Sequence, residues 1–200
     1  MHRDGRTARP DKFIPADAVS RCGSVLAFWD GDARVDDVPE WDPHTFWELL
    51  GSCGRSLRAL SRKLEQFSRR DLCRYLVAYD NRKGEVNPHD WDACHPYLAE
   101  PCSEDHADDF AAWVVMQGVE FYGEVASHPE RIQQYLEMFD ECESGQGHAE
   151  LRWDESVDRD EYRGSQRADF IASAIYRSRF GGSILEACYD NRGRPHEGLE

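Results

Sequence analysis

The sequence predicts a mostly α-helical protein. A single compact domain of about six to seven helices spans 45–190. An irregular, partly disordered extension (1–44) precedes it, and a frayed tail (191–200) follows. Three observations lead there. Apolar residues recur at three- and four-residue steps through most of the chain, the spacing of one helical face. Ser, Asp or Asn followed by Pro or an acid repeatedly precedes those stripes, as helix starts do. Strand-like alternation of useful length is missing, and no repeat is evident.

In chain order, SVLAFW at 24–29 is a short apolar run that fits either a strand or a staple onto the core. Asp42-Pro43 supplies an N-cap and an N1 proline for a helix that carries Phe46, Trp47, Leu50 and Cys53 on one face. Leu57, Leu60, Leu64 and Phe67 form the next stripe. Ser68 and Asp71 resemble a capping box ahead of Leu72, Leu76 and Tyr79, with Lys83-Gly84 as the expected stop. Asn87-Pro88 opens a further helix bearing Trp91, Cys94 and Leu98, interrupted by Pro96. Ser103 caps a helix with Phe110, Trp113, Val114 and Gln117 inward, Gly118 breaks it, and Phe121, Tyr122 and Val125 extend the apolar face. His128-Pro129 starts a helix through Ile132, Tyr135, Leu136 and Phe139. Residues 140–164 are acidic and glycine-spotted and read as a long loop. Phe170, Ile171, Ala174, Ile175 and Phe180 make the last helix, closed by Gly181-Gly182.

Two hundred residues, 40% of them hydrophobic and 12% aromatic, are enough for a packed core. No apolar run reaches the roughly 18 residues that a membrane span needs, so no membrane association is expected. The opening MHRDGRTARPDKF has no apolar signal region. The seven cysteines are odd in number and scattered, and read as reduced thiols in a bacterial cytoplasm.

The net charge of −15 is unevenly distributed. Residues 45–83 hold nine bases and four acids, whereas 84–164 hold four bases and 21 acids. General nucleic-acid binding rests on cations neutralising phosphates, and this composition argues against it. The acidic stretch instead suits a basic protein partner, with Asp140, Glu141, Glu143, Asp154 and Glu155 of the expected loop as its contacts. A solvated, solubilising face is the plainer reading of the same residues.

Candidate chemistry concentrates in CSEDHADDFAAWVVMQG at 102–118. Cys102 stands at a helix start, where dipole and free amides favour a thiolate, but four neighbouring acids oppose it. Ser103 as N-cap, with Glu104, Asp105 and Asp108 complementing the positive helix end, accounts for the same residues. His89, Cys94, His95, Cys102 and His106 are near in sequence, yet no CxxC or HExxH spacing organises them, and neither a metal nor another cofactor is expected. Trp91, Cys102, Asp105, Trp113, Gln117 and Tyr122 are the candidate lining of a ligand pocket, although aromatics at helical spacing are commonly core. Neither a P-loop nor a GxSxG motif is present.

FWELL at 46–50 and PHDWDACHPYLAEPCSEDHADDFAAWVVMQGVEFYGEVASHPE at 88–130 resemble the DUF4240 family of bacterial proteins of unknown function. The resemblance is carried by Phe46-Trp47, Trp91-Asp92, Cys102-Ser103-Glu104-Asp105, Phe110, Trp113, Gly118, Phe121-Tyr122 and Pro129-Glu130, and covers roughly 45–188. Where members have glycines before the cysteine, this chain has Glu100-Pro101. The resemblance implies a helical fold and an intracellular setting, and supplies no catalytic residue. Some relatives occur beside WGR domains in regulatory proteins. The function expected is therefore a non-enzymatic interaction or regulatory module, immunity-like in one concrete form. The alternative is an enzyme or small-molecule-binding protein that uses the Trp91–Gln117 region.

Overall fold

The computed structural model describes residues 42–153 and 168–188. The chain divides into two units, Met1–Asp32 and Ala33–Glu200, and all described residues belong to the second. The expected extension before residue 42, the SVLAFW run and the tail from 191 lie outside them. Eight α-helices are present among the described residues, with no extended strand. They are α1 (Pro43–Gly51), α2 (Leu57–Leu64), α3 (Arg69–Val86), α4 (Glu104–Met116), α5 (Val119–Ser127), α6 (Ile132–Glu143), α7 (Ala168–Phe180) and α8 (Ile184–Cys188).

The organising element is α3. Its 18 residues run roughly 27 Å. Leu72, Cys73, Tyr75, Leu76, Val77, Ala78 and Tyr79 are all buried, so it is enclosed on several sides rather than along one stripe. It packs against α1, α4, α5, α7 and α8. Gly84 does not stop this helix. Val86 is fully buried and Glu85 is bonded to Tyr122, so packing outweighs the ~1 kcal/mol that an interior glycine costs. The stop comes at Asn87, which the following proline holds in an extended conformation (ψ 113°).

Starts follow the sequence closely. Asp42 accepts from the His44 amide (3.3 Å) and Pro43 takes the first turn of α1. Ser56 and Ser68 cap α2 and α3 through the amides of Ala59 (3.3 Å) and Asp71 (3.1 Å). The expected capping box is incomplete, because the Asp71 carboxylate accepts from the Ser68 hydroxyl (2.7 Å) rather than from a backbone amide. Ser103 accepts from the His106 amide (3.3 Å) in extended geometry, with Glu104 and Asp105 in the first turn of α4. Ser103→Ala should therefore cost about 1 kcal/mol in chemical denaturation. An unchanged midpoint would mean that water satisfies the amide equally well.

Three expectations are corrected. Residues 88–94 form successive turns on Asn87 rather than a helix, and only His95–Tyr97 winds into a 3₁₀ turn. Two prolines within nine residues leave too few consecutive amides for α-helical bonding. The loop expected from 140 begins later, since α6 runs to Glu143. Gly145 (φ 76°) then terminates it: Gly145 N–H bonds to Cys142 O (3.2 Å) and Gln146 N–H to Glu141 O (3.0 Å), a Schellman ending. In α7 the buried face is Ala168, Ile171, Ala172, Ile175 and Tyr176. Phe170 and Phe180, expected inward, are 51% and 40% exposed: Phe170 falls opposite that face, and Phe180 is the last residue of the helix, covered on one side by the Tyr176 ring (5.4 Å). Beyond the glycine stop, α8 was not anticipated. Arg179 ties α7 to the end of α2 by donating to Glu65 O (2.6 Å) and Phe67 O (2.7 Å).

Candidate functional site

The six residues expected to line a pocket have different neighbours. Trp113 and Gln117 are one turn apart on α4, and the Gln117 amide nitrogen donates to Trp113 O (3.2 Å). The Trp113 ring lies among Phe110, Phe121 and Phe139, with centroids 6.0, 5.2 and 5.6 Å away. Its indole N–H and the Gln117 Oε1 are both buried and have no hydrogen-bond partner among the described residues. Tyr122 faces elsewhere: it stacks on Trp47 (5.1 Å) and donates to the Glu85 carboxylate, tying α5 to α3. Trp91 packs half-buried at the core edge. Asp105 is exposed in the first turn of α4.

Cys102 is half-buried, and both burial and the nearby Asp140 charge push its thiol pKa up. That is the reverse of what a nucleophilic thiolate needs. His106 lies 3.5 Å from Asp140 and stacks on Phe139. Cys94 points its thiol at Pro88 O (3.8 Å), and burial raises it to about 11. His95 Nε2 sits 3.0 Å from the same carbonyl, while His89 pairs with Asp90 (3.1 Å). Among the described residues no group of three or more His, Cys, Asp and Glu side chains is close enough to hold a metal ion.

The acidic set divides in two. Asp140, Glu141 and Glu143 are exposed in the last turn of α6, so they belong to a helix end rather than a loop. Glu141 lies 3.2 Å from His148. Asp154 and Glu155 lie outside the described residues. The last turn of α6 holds three carboxylates and no basic residue. A helix C-terminus carries partial negative charge, which disfavours carboxylates by about 0.3–1 kcal/mol each at exposed sites. Glu104 and Asp105 occupy the opposite situation at the start of α4, where the dipole favours them.

Two long-range fixtures escaped the sequence reading. Trp153 donates its indole N–H to Met116 O (2.8 Å), anchoring the stretch after α6 to the end of α4. Glu85 links Arg82 (3.0 Å) and Tyr122 in a largely buried trio. Neither the Trp153–Met116 nor the Tyr122–Glu85 bond leaves a periodic signal, since the partners in each are 37 residues apart.

Tyr135 gives a pH test of the α5–α6 contact. Burial first, and the adjacent Glu124 second, push its phenol up to about 12. The folded state thus holds this proton more tightly than the unfolded chain. Stability from it is complete below the ordinary value of 10 and is lost as pH rises through about 12. Tyr135→Phe should flatten the fall in urea midpoint across that window. Parallel wild-type and variant curves would show that the phenol does not contribute.

The family model for a protein of unknown function, DUF4240, matches residues 42–176. Comparison with curated proteins and with solved structures finds no match. No helix among the described residues is long and apolar enough to cross a membrane.

Proposed function

The chain belongs to the DUF4240 family, and we propose that this member is a non-enzymatic interaction module that binds a basic protein through the acidic surface of residues 84–164. The supporting observation is the C-terminal turn of α6. Asp140, Glu141 and Glu143 sit exposed together at a helix end whose dipole adds to their negative charge, with Asp140 and Glu141 facing His106 (3.5 Å) and His148 (3.2 Å). A concentrated negative patch of this kind attracts a basic partner. The acids at the start of α4 are explained by capping and need no partner. A bacterial cytoplasmic setting, where a module of this kind would act in regulation or immunity, fits the free cysteines.

A second reading has its own support: the buried Trp113 N–H and Gln117 Oε1 offer one donor and one acceptor to a small polar ligand. The raised Cys102 thiol weighs against an extension of that reading to nucleophilic catalysis.

The test compares Asp140→Lys/Glu141→Lys/Glu143→Lys with Gln117→Ala and Cys102→Ala in capture from a bacterial lysate and in thermal shift against a metabolite panel. The α6 variant should keep or raise its melting temperature, because lysines suit a helix C-terminus. It should also lose a stoichiometric basic protein that wild type releases as salt rises. Retention of that protein by the α6 variant, or a ligand response abolished only in the α4 variants, would sink the interaction-module reading.

A further inference from the structure

We propose that the arginine-lined end of α7, together with the start of α3, is a docking surface for carboxylates, and that its occupant is the acidic α6 turn of a second copy of this chain. This contact presupposes that the turn is a binding surface and supplies its partner.

A row of cations and aromatic rings builds the surface. The Arg69 guanidinium lies 5.6 Å over the Tyr176 ring, and its Nε donates to the Tyr176 hydroxyl (2.5 Å). Tyr176 packs on Phe180 (5.4 Å between centroids), and the Arg179 guanidinium lies 4.7 Å over the Phe180 ring. One Arg179 nitrogen donates to Glu65 O and Phe67 O, which fixes the side chain against the end of α2. Tyr176 is buried, whereas Arg69, Arg177, Arg179 and Phe180 are exposed. A guanidinium already held on an aromatic ring loses little further freedom when a carboxylate pairs with it, and its planar fork suits two-point contact.

Charge is unbalanced at this end of the fold. Arg69, Arg177 and Arg179 form no ion pair among the described residues, nor do Arg62 in the last turn of α2 and Arg70 in the first turn of α3. Elsewhere Arg74, Arg82, Lys83 and Arg131 each meet a carboxylate. Of the acids nearby in sequence, Asp71 is taken by Arg74 and Ser68, and Glu65 meets Ser61 (3.5 Å). Five arginines without a carboxylate stand together in a chain whose acids outnumber its bases 39 to 24. They make a positive patch on a negative molecule.

The complement is on the same chain. Asp140, Glu141 and Glu143 are exposed in the last turn of α6. That helix packs mainly against α4 and the 129–131 turn, while α7 packs against α2, α3 and α8. The two patches thus belong to different parts of the fold, and the acids of one copy meet the arginines of the next in a head-to-tail contact. A net charge of −15 repels two copies at long range. At physiological ionic strength the screening length of about 8 Å removes most of that repulsion and leaves ions in contact paired. A foreign basic protein competes for the same α6 turn, so the second copy is its resting cover.

The test is sedimentation velocity of the full chain over a concentration series, at about 0.15 M and about 1 M salt. Wild type should associate reversibly at the lower salt and sediment as a monomer at the higher. Arg177→Glu/Arg179→Glu and, separately, Asp140→Lys/Glu141→Lys/Glu143→Lys should each weaken association by about tenfold or more. An equimolar mixture of the two variants should associate again, because each keeps the face that the other has reversed. If losing the Arg179 bonds disturbs folding, Arg177→Glu alone takes its place, since that side chain has no partner among the described residues. A wild type that is monomeric at every concentration and salt would overturn the proposal. So would association that both variants retain, or a mixture that stays monomeric. Capture of a foreign acidic protein by a monomeric wild type, lost in Arg177→Glu/Arg179→Glu, would give the face another occupant and equally overturn it. A monomeric wild type whose α6 variant still loses a basic protein from the lysate would sink the second-copy contact alone and leave the interaction-module reading standing.

Discussion

Glu85→Ala should destabilise the fold by about 3–5 kcal/mol, the cost of leaving one partner of a buried ion pair without the other. The Glu85 and Arg82 side chains are only 12% and 10% exposed and 3.0 Å apart, and the second carboxylate oxygen accepts from the Tyr122 hydroxyl. Alanine at 85 leaves a guanidinium and a phenol facing each other in a site with little room for water. Tyr122→Phe removes one bond to a charged acceptor and keeps the ring on Trp47, so about 1.5–3 kcal/mol is its ceiling. The decisive comparison is a double-mutant cycle with Arg82→Met. If the penalty at 85 is mainly the stranded cation, the double variant will recover part of it. A loss below about 1 kcal/mol for Glu85→Ala in urea denaturation would mean that the pair is hydrated and behaves as a surface bridge.

That trio also marks where sequence reading runs out. Helix faces were legible wherever burial follows a single stripe. Leu57, Leu60 and Leu64, then Ile132, Tyr135, Leu136 and Phe139, are buried as spacing predicts. Capping at Ser103 was legible for the same reason, because cap and helix are local. Where several helices compete for one residue, local rules gave way. Gly84 remains helical because Glu85 and Val86 are held from α5 and the core. Phe170 points outward although it is among the most apolar residues of α7, since the packing of Ile171, Ala172 and Ile175 sets the rotation of that helix. The candidate site is harder still. His89, Cys94, His95, Cys102 and His106 are near in sequence without a spacing that organises them, and the partner that His106 does meet, Asp140, is 34 positions away on α6 where no local pattern points. The acids of 140–143 were visible as charge, but their position at a helix C-terminus, which makes them informative, required knowing that α6 persists through them.

Phe110→Ala should be comparably damaging, about 3–5 kcal/mol, for a reason of packing rather than charge. Phe110 is fully buried at the middle of α4, with ring centroids 6.0 Å from both Trp113 and Phe139. Truncation removes its transfer free energy and leaves a cavity. It also removes two aromatic contacts, each worth about 0.5–1.5 kcal/mol beyond area. Helix α4 lies between α3 and α6, so the walls of that cavity are held from both sides and can collapse only in part. Phe110→Leu keeps most of the volume and should cost under about 1.5 kcal/mol. Phe170→Ala is the matched control, the same chemical change at a position 51% exposed, where a loss within about 0.5 kcal/mol is expected. The three variants, measured by urea denaturation on the full chain, separate burial from aromatic character. Equal losses at 110 and 170 would mean that the face of α7 carrying Phe170 is covered in solution. A small loss at 110 would mean that the Trp113–Phe139 cluster closes over the gap, and that α4 is free to shift toward α6.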